Sequence, residues 1–274
     1  MKQFIFQVCF LIMVNILGIY AGESCLFIQE FPTEKILVEE GPVDDRVSPC
    51  STFKIVLSLI GYDQQILVNE TSPVWKFHDE YISWNILDLP QWKADQTPTT
   101  WMKHSCVWFS QVLTKRLGME TFQRYIQLLH YGNEDLGGDK GKNNGLTQAW
   151  LSSSLKISPR EQVHFIQKFM DHKLPFSDNA YRFTRNILFV EDLPAGYKLY
   201  AKTGSGSDRA GEGTNGISQP IGWFVGWVEP PKDKPGQILT FASLVRGQVD
   251  DAIPPRIVAR NKATERIKSL LSDH

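Results

Sequence analysis

Strand-like segments lie at both ends of this chain, and a stretch rich in helix signals lies between them. Strands are predicted at residues 25–29, 35–39, 197–203, 222–229 and 238–245. Helical patterns dominate residues 98–172, and a last amphipathic helix is predicted over residues 256–271. Strands at both ends that enclose a helical middle favour an α+β fold. We expect a mainly antiparallel sheet flanked by helices, with a helical lobe of roughly residues 62–185 inserted into the sheet lobe.

The clearest helix start in that middle is a capping box. Ser158 and Glu161 flank Pro159, which suits the first position of a helix. A helix is therefore predicted to begin there. Another helix is predicted over residues 105–117, with Ser105 at its head.

The balance of charge argues against partners that bind a strongly basic surface. The 274 residues include 29 basic and 30 acidic side chains, so the net charge is −1, and 42% of the residues are hydrophobic. Such a surface offers no positive patch for nucleic acid or anionic lipid. The composition is that of a globular protein rather than a disordered chain. We therefore expect no nucleic-acid partner, and the composition alone does not indicate a substrate.

The first 21 residues have the pattern of a secretory signal peptide. Lys2 is the only charge in the first 22 residues, and an apolar stretch leads to small residues, with cleavage expected after Ala21. An uncleaved membrane anchor is the alternative, although an anchor usually needs about 20 apolar residues. The expected mature chain is a single domain of residues 22–274, exported to the periplasm and free of the membrane.

Cysteine usage does not indicate a disulfide scaffold. Four cysteines occur, and Cys9 lies in the predicted signal peptide. The other three, Cys25, Cys50 and Cys106, cannot all pair within one chain. A bridge between Cys50 and Cys106 requires Cα atoms within about 7 Å. The alternative is two buried thiols packed as small apolar residues.

Ser51 and Lys54 form an S-x-x-K pattern at the start of an apolar run that stops at Gly61. The run predicts a buried helix beginning near Ser51, and a buried strand is the alternative. Positions three apart share one face of a helix, so the Lys54 amine can reach the Ser51 hydroxyl. The helix N-terminus favours negative charge on that hydroxyl, which activates a serine without a histidine. Alone, the pattern equally fits an N-cap serine with an unrelated lysine.

Lys202, Thr203 and Gly204 form a K-T-G pattern at the end of a predicted strand, before the small residues that begin with Ser205. A lysine and a hydroxyl on an edge strand suit an anionic acyl substrate, and glycine lets the backbone approach closely. Taken alone, the pattern also fits a turn after a strand.

Further patterns lie between and beyond these two. Residues 105–107 form S-x-V, residues 131–133 form Y-G-N, and Trp150 follows. In this order the patterns resemble those of a class D (oxacillinase-type) serine β-lactamase, essentially along the whole chain and including residues 222–226. Val107 stands where class A enzymes and penicillin-binding proteins have the asparagine of S-D-N. The resemblance implies the serine β-lactamase/penicillin-binding-protein-like fold, and hydrolysis of β-lactam antibiotics that gives resistance.

The resemblance implies a role for each matched residue. Ser51 is the acylated nucleophile, and its backbone N–H forms an oxyanion hole with that of Ser205. Ser105 relays a proton to the β-lactam nitrogen, assisted by the charge of Lys202. Thr203 and an arginine hold the substrate carboxylate.

That arginine is not fixed by the sequence. Arg256 best fits the family position, and Arg260 and Arg246 are the alternatives. Gly204 belongs to the same substrate-binding strand.

The resemblance also implies a modified lysine and no other cofactor or metal. If Lys54 is buried under Val107 and Trp150, desolvation lowers its pKa and leaves a neutral amine. A neutral amine can add carbon dioxide to give a carbamate. In the family this carbamate is the general base for acylation and deacylation, and the indole N–H of Trp150 donates to it. Taken alone, Trp150 also fits a core aromatic.

Other chemistries lack their patterns. The six histidines show no H-x-H or H-E-x-x-H spacing for zinc, and no G-x-S-x-G marks a Ser-His-Asp enzyme. Within the resemblance, a β-lactam-binding sensor-like domain that acylates without turnover is one alternative. A penicillin-binding transpeptidase is another, and the missing S-D-N disfavours it. The sequence predicts neither the substrate spectrum nor the oligomeric state.

Overall fold

The computed structural model describes residues 22–81, 89–208, 218–247 and 252–272. The predicted signal peptide, residues 1–21, lies outside them. Within the described ranges, no helix is both long enough and apolar enough to cross a membrane.

One antiparallel sheet organises the described residues. Its strands are β1 (Glu23–Phe31), β2 (Ile36–Glu40), β3 (Phe189–Asp192), β4 (Lys198–Asp208), β5 (Gln219–Glu229) and β6 (Ile238–Arg246). Their order across the sheet is β2-β1-β6-β5-β4-β3. Strand β1 pairs with β6 along its whole length, so segments from the two ends of the chain lie side by side. The predicted α+β fold with an antiparallel sheet is confirmed.

Helices cover both faces of this sheet. They are α1 (Lys54–Asp63), α2 (Pro98–His104), α3 (Val107–Leu117), α4 (Met119–Leu129), α5 (Gly145–Gln148), α6 (Pro159–Met170), α7 (Asp178–Leu188) and α8 (Pro255–Ser272). Short 3-10 turns occur at Cys50–Phe53, Asp79–Tyr81, Pro90–Trp92 and Pro194–Gly196. The helices α1 to α7 follow β2 and precede β3 in the chain.

Alternation along the strands separates two apolar cores. On β5, Phe224 packs with Ala259 and Ala263 of α8, whereas Trp223 and Val225 pack with the helices of the other face. Successive side chains of a strand point to opposite faces, so one strand supplies both cores. The sheet is therefore buried on both sides.

The predicted capping box at Ser158 is confirmed. The Ser158 hydroxyl accepts a hydrogen bond from the backbone N–H of Glu161 at 3.2 Å. The Glu161 carboxylate in turn accepts from the backbone N–H of Ser158 at 2.9 Å. Two N–H groups at the start of α6 are thereby satisfied without help from the rest of the fold.

The predicted helix near Ser51 is also confirmed, and the buried-strand alternative is wrong. The chain enters α1 through the 3-10 turn Cys50–Phe53. The helix runs on to Asp63 rather than stopping at Gly61. A glycine ends a helix where the backbone turns left-handed, and Gly61 stays helical, packed against Leu67.

The sequence predicted Ser105 at the head of a helix, and this prediction is wrong. Helix α2 ends at His104, Ser105 follows with a left-handed backbone (φ 58°, ψ 32°), and Cys106 is the N-cap of α3. A left-handed serine between two helices has no sequence signature, because non-glycine residues seldom adopt that conformation. Ser105 is instead the hinge of a tight helix–helix corner.

The strand predicted over residues 197–203 is longer than expected. Strand β4 continues to Asp208, so the K-T-G residues lie within it rather than at its end. Strand β3 pairs only with residues 198–200 of β4. Beyond residue 200, β4 therefore has β5 on one side and a free edge on the other, and K-T-G lies at this locally exposed edge.

Candidate active site

Most of the residues singled out from the sequence surround one cavity of about 450 Å³. Those that line it are Ser51, Ser105, Val107, Thr203, Ser205 and Arg256. The others, Lys54, Trp150, Lys202 and Gly204, are buried. The fold thus brings together residues from the helical lobe, from β4 and from α8.

Ser51 and Lys54 are in direct contact at the start of α1. Lys54 Nζ donates a hydrogen bond to Ser51 Oγ at 3.1 Å. The 3-10 turn leads directly into α1, so the two side chains share one face. The predicted S-x-x-K geometry is confirmed.

Burial changes the chemistry of Lys54. Its side chain is fully buried, and desolvation of the ammonium lowers the pKa of Lys54 to about 8, opposed weakly by Cys106 and Cys50. Desolvation disfavours the charged form of a lysine. A neutral amine next to a serine hydroxyl can accept its proton.

Lys202 is the second buried lysine. Burial, and then the positive charges of Lys54 and Arg256, hold the pKa of Lys202 well below its usual range. Its Nζ donates to the carbonyl oxygen of Thr203 at 2.9 Å. Arg256, which lines the cavity, brings positive charge to this site, and positive charge favours an anionic ligand.

At the free edge of β4, backbone N–H groups point away from β5 and towards the cavity. The N–H of Ser207 bonds to Ser152 Oγ at 2.8 Å instead of to β5. Alternate residues of an antiparallel strand present their N–H groups to the same side. The N–H of Ser205, two residues earlier, therefore points away from β5, and Ser205 lines the cavity.

Two glycines allow the walls of the cavity to approach each other. A Cβ on Gly204 would lie 3.0 Å from the carbonyl oxygen of Pro49, immediately before the 3-10 turn that contains Ser51. A Cβ on Gly222 would lie 2.1 Å from the backbone N of Arg256. Gly222 thus lets the first turn of α8 lie against β5, which places Arg256 at the cavity.

The structure distinguishes the three candidate arginines. Arg256 lines the cavity. Arg260 is bonded to Glu191 at 2.6 Å, and Arg246 to Asp45 at 3.0 Å. Arg256 is therefore the arginine positioned to meet a ligand.

Trp150 is buried behind the cavity, and its ring packs against Phe53 with centroids 5.6 Å apart. Its indole Nε1–H is buried and finds no hydrogen-bond acceptor among the described residues. A buried donor without an acceptor is unfavourable. Val107 is half-buried and lines the cavity.

The three described cysteines are buried free thiols. Burial raises the pKa of both Cys50 and Cys106 to about 11. The alternative of buried thiols packed as small apolar residues therefore holds, and a Cys50–Cys106 bridge is wrong.

Sequence reasoning missed other residues of the cavity wall. Trp92, His104, Gln148 and Leu151 also line it. Trp92 is fixed there because its indole N–H donates to the carbonyl oxygen of His104 at 2.9 Å. His104 and Leu151 adjoin predicted site residues in the chain, which is the one signal that could have found them.

Known proteins resemble this chain over most of its length. A family model described as the penicillin binding protein transpeptidase domain matches residues 29–248. β-Lactamase OXA-9 of Klebsiella pneumoniae is 40% identical over 250 residues, which cover 91% of this chain and 89% of that protein. β-Lactamase OXA-1 of Escherichia coli is 34% identical over 250 residues, which cover 90% and 85%. The crystal structure of OXA-427 class D β-lactamase matches with a TM-score of 0.81 at 37% identity, covering 91% of this chain and 99% of that one.

Proposed function

The chain belongs to the class D β-lactamase family, and we propose that it hydrolyses the β-lactam amide of penicillin-type antibiotics through an acyl-enzyme on Ser51. One observation carries this assignment: Lys54 Nζ lies 3.1 Å from Ser51 Oγ, and burial lowers the pKa of that lysine to about 8. A serine becomes nucleophilic when an adjacent base takes its proton. Opening the lactam ring destroys the acylating group of the antibiotic, which gives resistance.

Acylation uses groups on both sides of the cavity. Ser51 Oγ attacks the lactam carbonyl carbon, and its proton passes to the Lys54 side chain. The carbonyl oxygen becomes an oxyanion that the backbone N–H groups of Ser51 and Ser205 stabilise. The C–N bond then breaks, the nitrogen takes a proton through Ser105, and an ester remains on Ser51.

Deacylation repeats this arrangement with water in place of the serine hydroxyl. Water attacks the ester carbon while the Lys54 side chain takes a proton from it. The same N–H groups stabilise the second oxyanion. Ser51 leaves with a proton, and the opened antibiotic is released.

The substrate carboxylate is bound at the basic side of the cavity. Thr203 and Arg256 line that side, and Lys202 is buried behind Thr203. Hydrogen bonds from charged donors to a carboxylate are stronger than neutral ones. This side therefore fixes the orientation in which the lactam carbonyl meets Ser51.

A carbamate on Lys54 fits these residues. A neutral amine can add carbon dioxide, and the lowered pKa of Lys54 favours the neutral amine. The buried indole N–H of Trp150, which lacks an acceptor among the described side chains and backbone, supplies a donor for such a group. When present, the carbamate would supply an anionic general base. No other cofactor and no metal are part of the proposal.

Replacement of the nucleophile tests the assignment. Ser51→Ala is expected to abolish nitrocefin turnover, and turnover like that of the wild type would refute it. A sensor-like domain would be labelled once by penicillin and would not turn over. Counting product molecules per enzyme molecule separates the two: many products indicate the hydrolase, and one indicates the sensor.

Removal of bicarbonate tests the carbamate. In degassed buffer at neutral pH the turnover rate is expected to fall, and added bicarbonate is expected to restore it. A rate that does not respond would assign the base to the unmodified Lys54 amine.

Export to the periplasm through a signal peptide of residues 1–21 is part of the proposal. It is supported by Lys2, the apolar stretch and the small residues that end at Ala21. N-terminal sequencing of protein recovered from the periplasm is expected to begin at Gly22. An intact Met1 would refute cleavage.

A further inference from the structure

Three serines without a role in the proposed mechanism are joined by hydrogen bonds at the wall of the cavity, which Ser152 and Ser207 line. The N–H of Ser207 donates to Ser152 Oγ at 2.8 Å, and the N–H of Ser152 donates to Ser48 Oγ at 2.9 Å. Ser48 Oγ in turn donates to the carbonyl oxygen of Trp150 at 2.8 Å. We call Ser48, Ser152 and Ser207 the serine bridge.

Both ends of the serine bridge are attached to groups with proposed catalytic roles. Ser48 lies three residues before Ser51, and its carbonyl oxygen accepts the indole N–H of Trp223 at 2.9 Å, which fixes it on β5. Ser207 lies two residues after Ser205, on the same free edge of β4. The bridge therefore sets the separation between the nucleophile segment and the edge that carries the Ser205 N–H.

Close packing holds β4 against the bridge. A Cβ on Gly206 would lie 2.5 Å from Ser152 Oγ and 2.5 Å from Cys50 Sγ. Both contacts are to short side chains that cannot move far. Ser152 itself has a left-handed backbone (φ 56°), which non-glycine residues seldom adopt. A strained serine and a glycine without space for a methyl group thus meet at one point.

We propose that the serine bridge positions the free edge of β4, and that Ser152 is a positioning residue for both acylation and deacylation. Ser152 acts through the Ser205 N–H and touches no reacting atom. Because both steps use one oxyanion site, loss of the bridge slows both steps together. The inference rests on the proposed function, since it takes the Ser205 N–H as an oxyanion donor.

Ser152→Gly tests the bridge, because it removes the hydroxyl and also relieves the left-handed strain. Removing a complete oxyanion donor costs about 100- to 1,000-fold in kcat, and displacing one costs less. We expect kcat for nitrocefin to fall roughly tenfold with KM within about twofold, and the acylation and deacylation rate constants to fall together.

Ser153→Ala is the matched control. It removes a neighbouring hydroxyl that bonds to Asp139 at 2.9 Å and not to β4. Its kcat is expected to stay within about twofold of the wild type. Equal losses in Ser153→Ala and Ser152→Gly would overturn the proposal, because any hydroxyl of the segment would then serve.

Gly206→Ala provides a second route that keeps every bridge hydroxyl. The added methyl group must displace β4 from Ser152 and Cys50, so kcat is expected to fall as it does in Ser152→Gly. Wild-type kcat in both folded variants would overturn the bridge and leave the proposed function intact. If the wild type itself did not turn over nitrocefin, the proposed function would be refuted instead.

Discussion

Basic side chains lie at two places along the β4–β5 pair, partly exposed at one and buried at the other, and they differ in whether a carboxylate accompanies them. At one end, Arg185 donates to Glu229 and lies over the ring of Tyr200, and its pKa is raised despite burial. At the other end, no carboxylate among the described residues acts on the buried Lys54 or Lys202. Burial lowers the pKa of both lysines.

The presence or absence of a carboxylate gives the two ends of the β4–β5 pair different roles. A paired cation stays charged and ties α7 to the sheet. An unpaired buried lysine loses its proton more easily and, with Arg256, leaves the site open to an anion. Without a carboxylate partner, the buried lysines do not form a structural ion pair like that of Arg185 and Glu229, and they are available for proton transfer. Removing a basic group or its partner at either end, or changing the pH, tests this distinction.

Lys54→Met should have the largest effect on activity and should not lower stability. We expect kcat/KM for nitrocefin to fall at least about 1,000-fold, because the base is lost. Methionine fills a similar volume without the cost of burying an unpaired amine, so the melting temperature should stay the same or rise. Nitrocefin kinetics and thermal melts measure both.

A lower melting temperature for Lys54→Met would contradict this view of the site. It would mean that Lys54 stabilises the fold as Arg185 does. The hydrogen bond to Ser51 would then outweigh the cost of burial.

Arg256→Ala should weaken binding of the substrate carboxylate. Hydrogen bonds to charged groups contribute about 1.5–3 kcal/mol, so KM should rise roughly 10- to 100-fold with a smaller change in kcat. Arg260→Ala is the matched control, because Arg260 lies on the same helix and is bonded to Glu191. An equal rise in KM for both variants would show that the general field, rather than Arg256, binds the carboxylate.

The lowered pKa of Lys54 predicts a pH dependence. Burial brings this pKa from 10.5 to about 8, so the neutral amine predominates above that pH. In buffer freed of carbon dioxide, the acylation rate should rise with pH up to about 8 and then level off. Stopped-flow acylation between pH 6 and pH 10 measures it. A flat profile would show that the proton passes to a different group.

Glu229→Gln should affect stability and leave catalysis unchanged. The change removes the partner of Arg185, and both side chains are partly exposed, so we expect a loss of about 1–2 kcal/mol in the free energy of unfolding. For a domain of this size that corresponds to a fall of roughly 2–8 °C in Tm. The kcat and KM should stay within about twofold.

Asp192→Asn is the control for this end of the sheet. Asp192 pairs with Lys198 at 2.7 Å where both side chains are exposed. Exposed pairs contribute about 0–1 kcal/mol, so the melting temperature should hardly change. A tenfold loss of activity in Glu229→Gln would remove the distinction between the two ends.

Sequence patterns were sufficient where a feature is local. The capping box at Ser158 and the contact between Ser51 and Lys54 both join residues three apart, so helix geometry alone predicts them. The central strands β5 and β6 also followed from local sequence, because each contains a short apolar run bounded by turn residues. The order of short patterns along the chain was enough to predict the family.

Features that depend on distant parts of the chain were not predictable. Ser48 and Ser152 are 104 residues apart in sequence, and their hydrogen bond leaves no trace in either local pattern. The extension of β4 beyond Gly204 depends on pairing with β5. The left-handed backbone at Ser105 lies between α2 and α3, where Trp101 of one helix stacks on Phe109 of the other. Tertiary contacts, rather than local propensity, determine each of these features.

The pairing of β1 with β6 determines how late in synthesis the sheet can be completed. Residues 23–31 lie against residues 238–246, so a ribosome must deliver nearly the whole chain before β1 can pair with β6. Closing so long a loop is slow, and folds rich in distant contacts form late. Ser51 is synthesised early but gains its β4 wall only when the sheet closes. The cavity around Ser51 is therefore complete only after segments from distant parts of the chain, such as β4 and Arg256, have been synthesised.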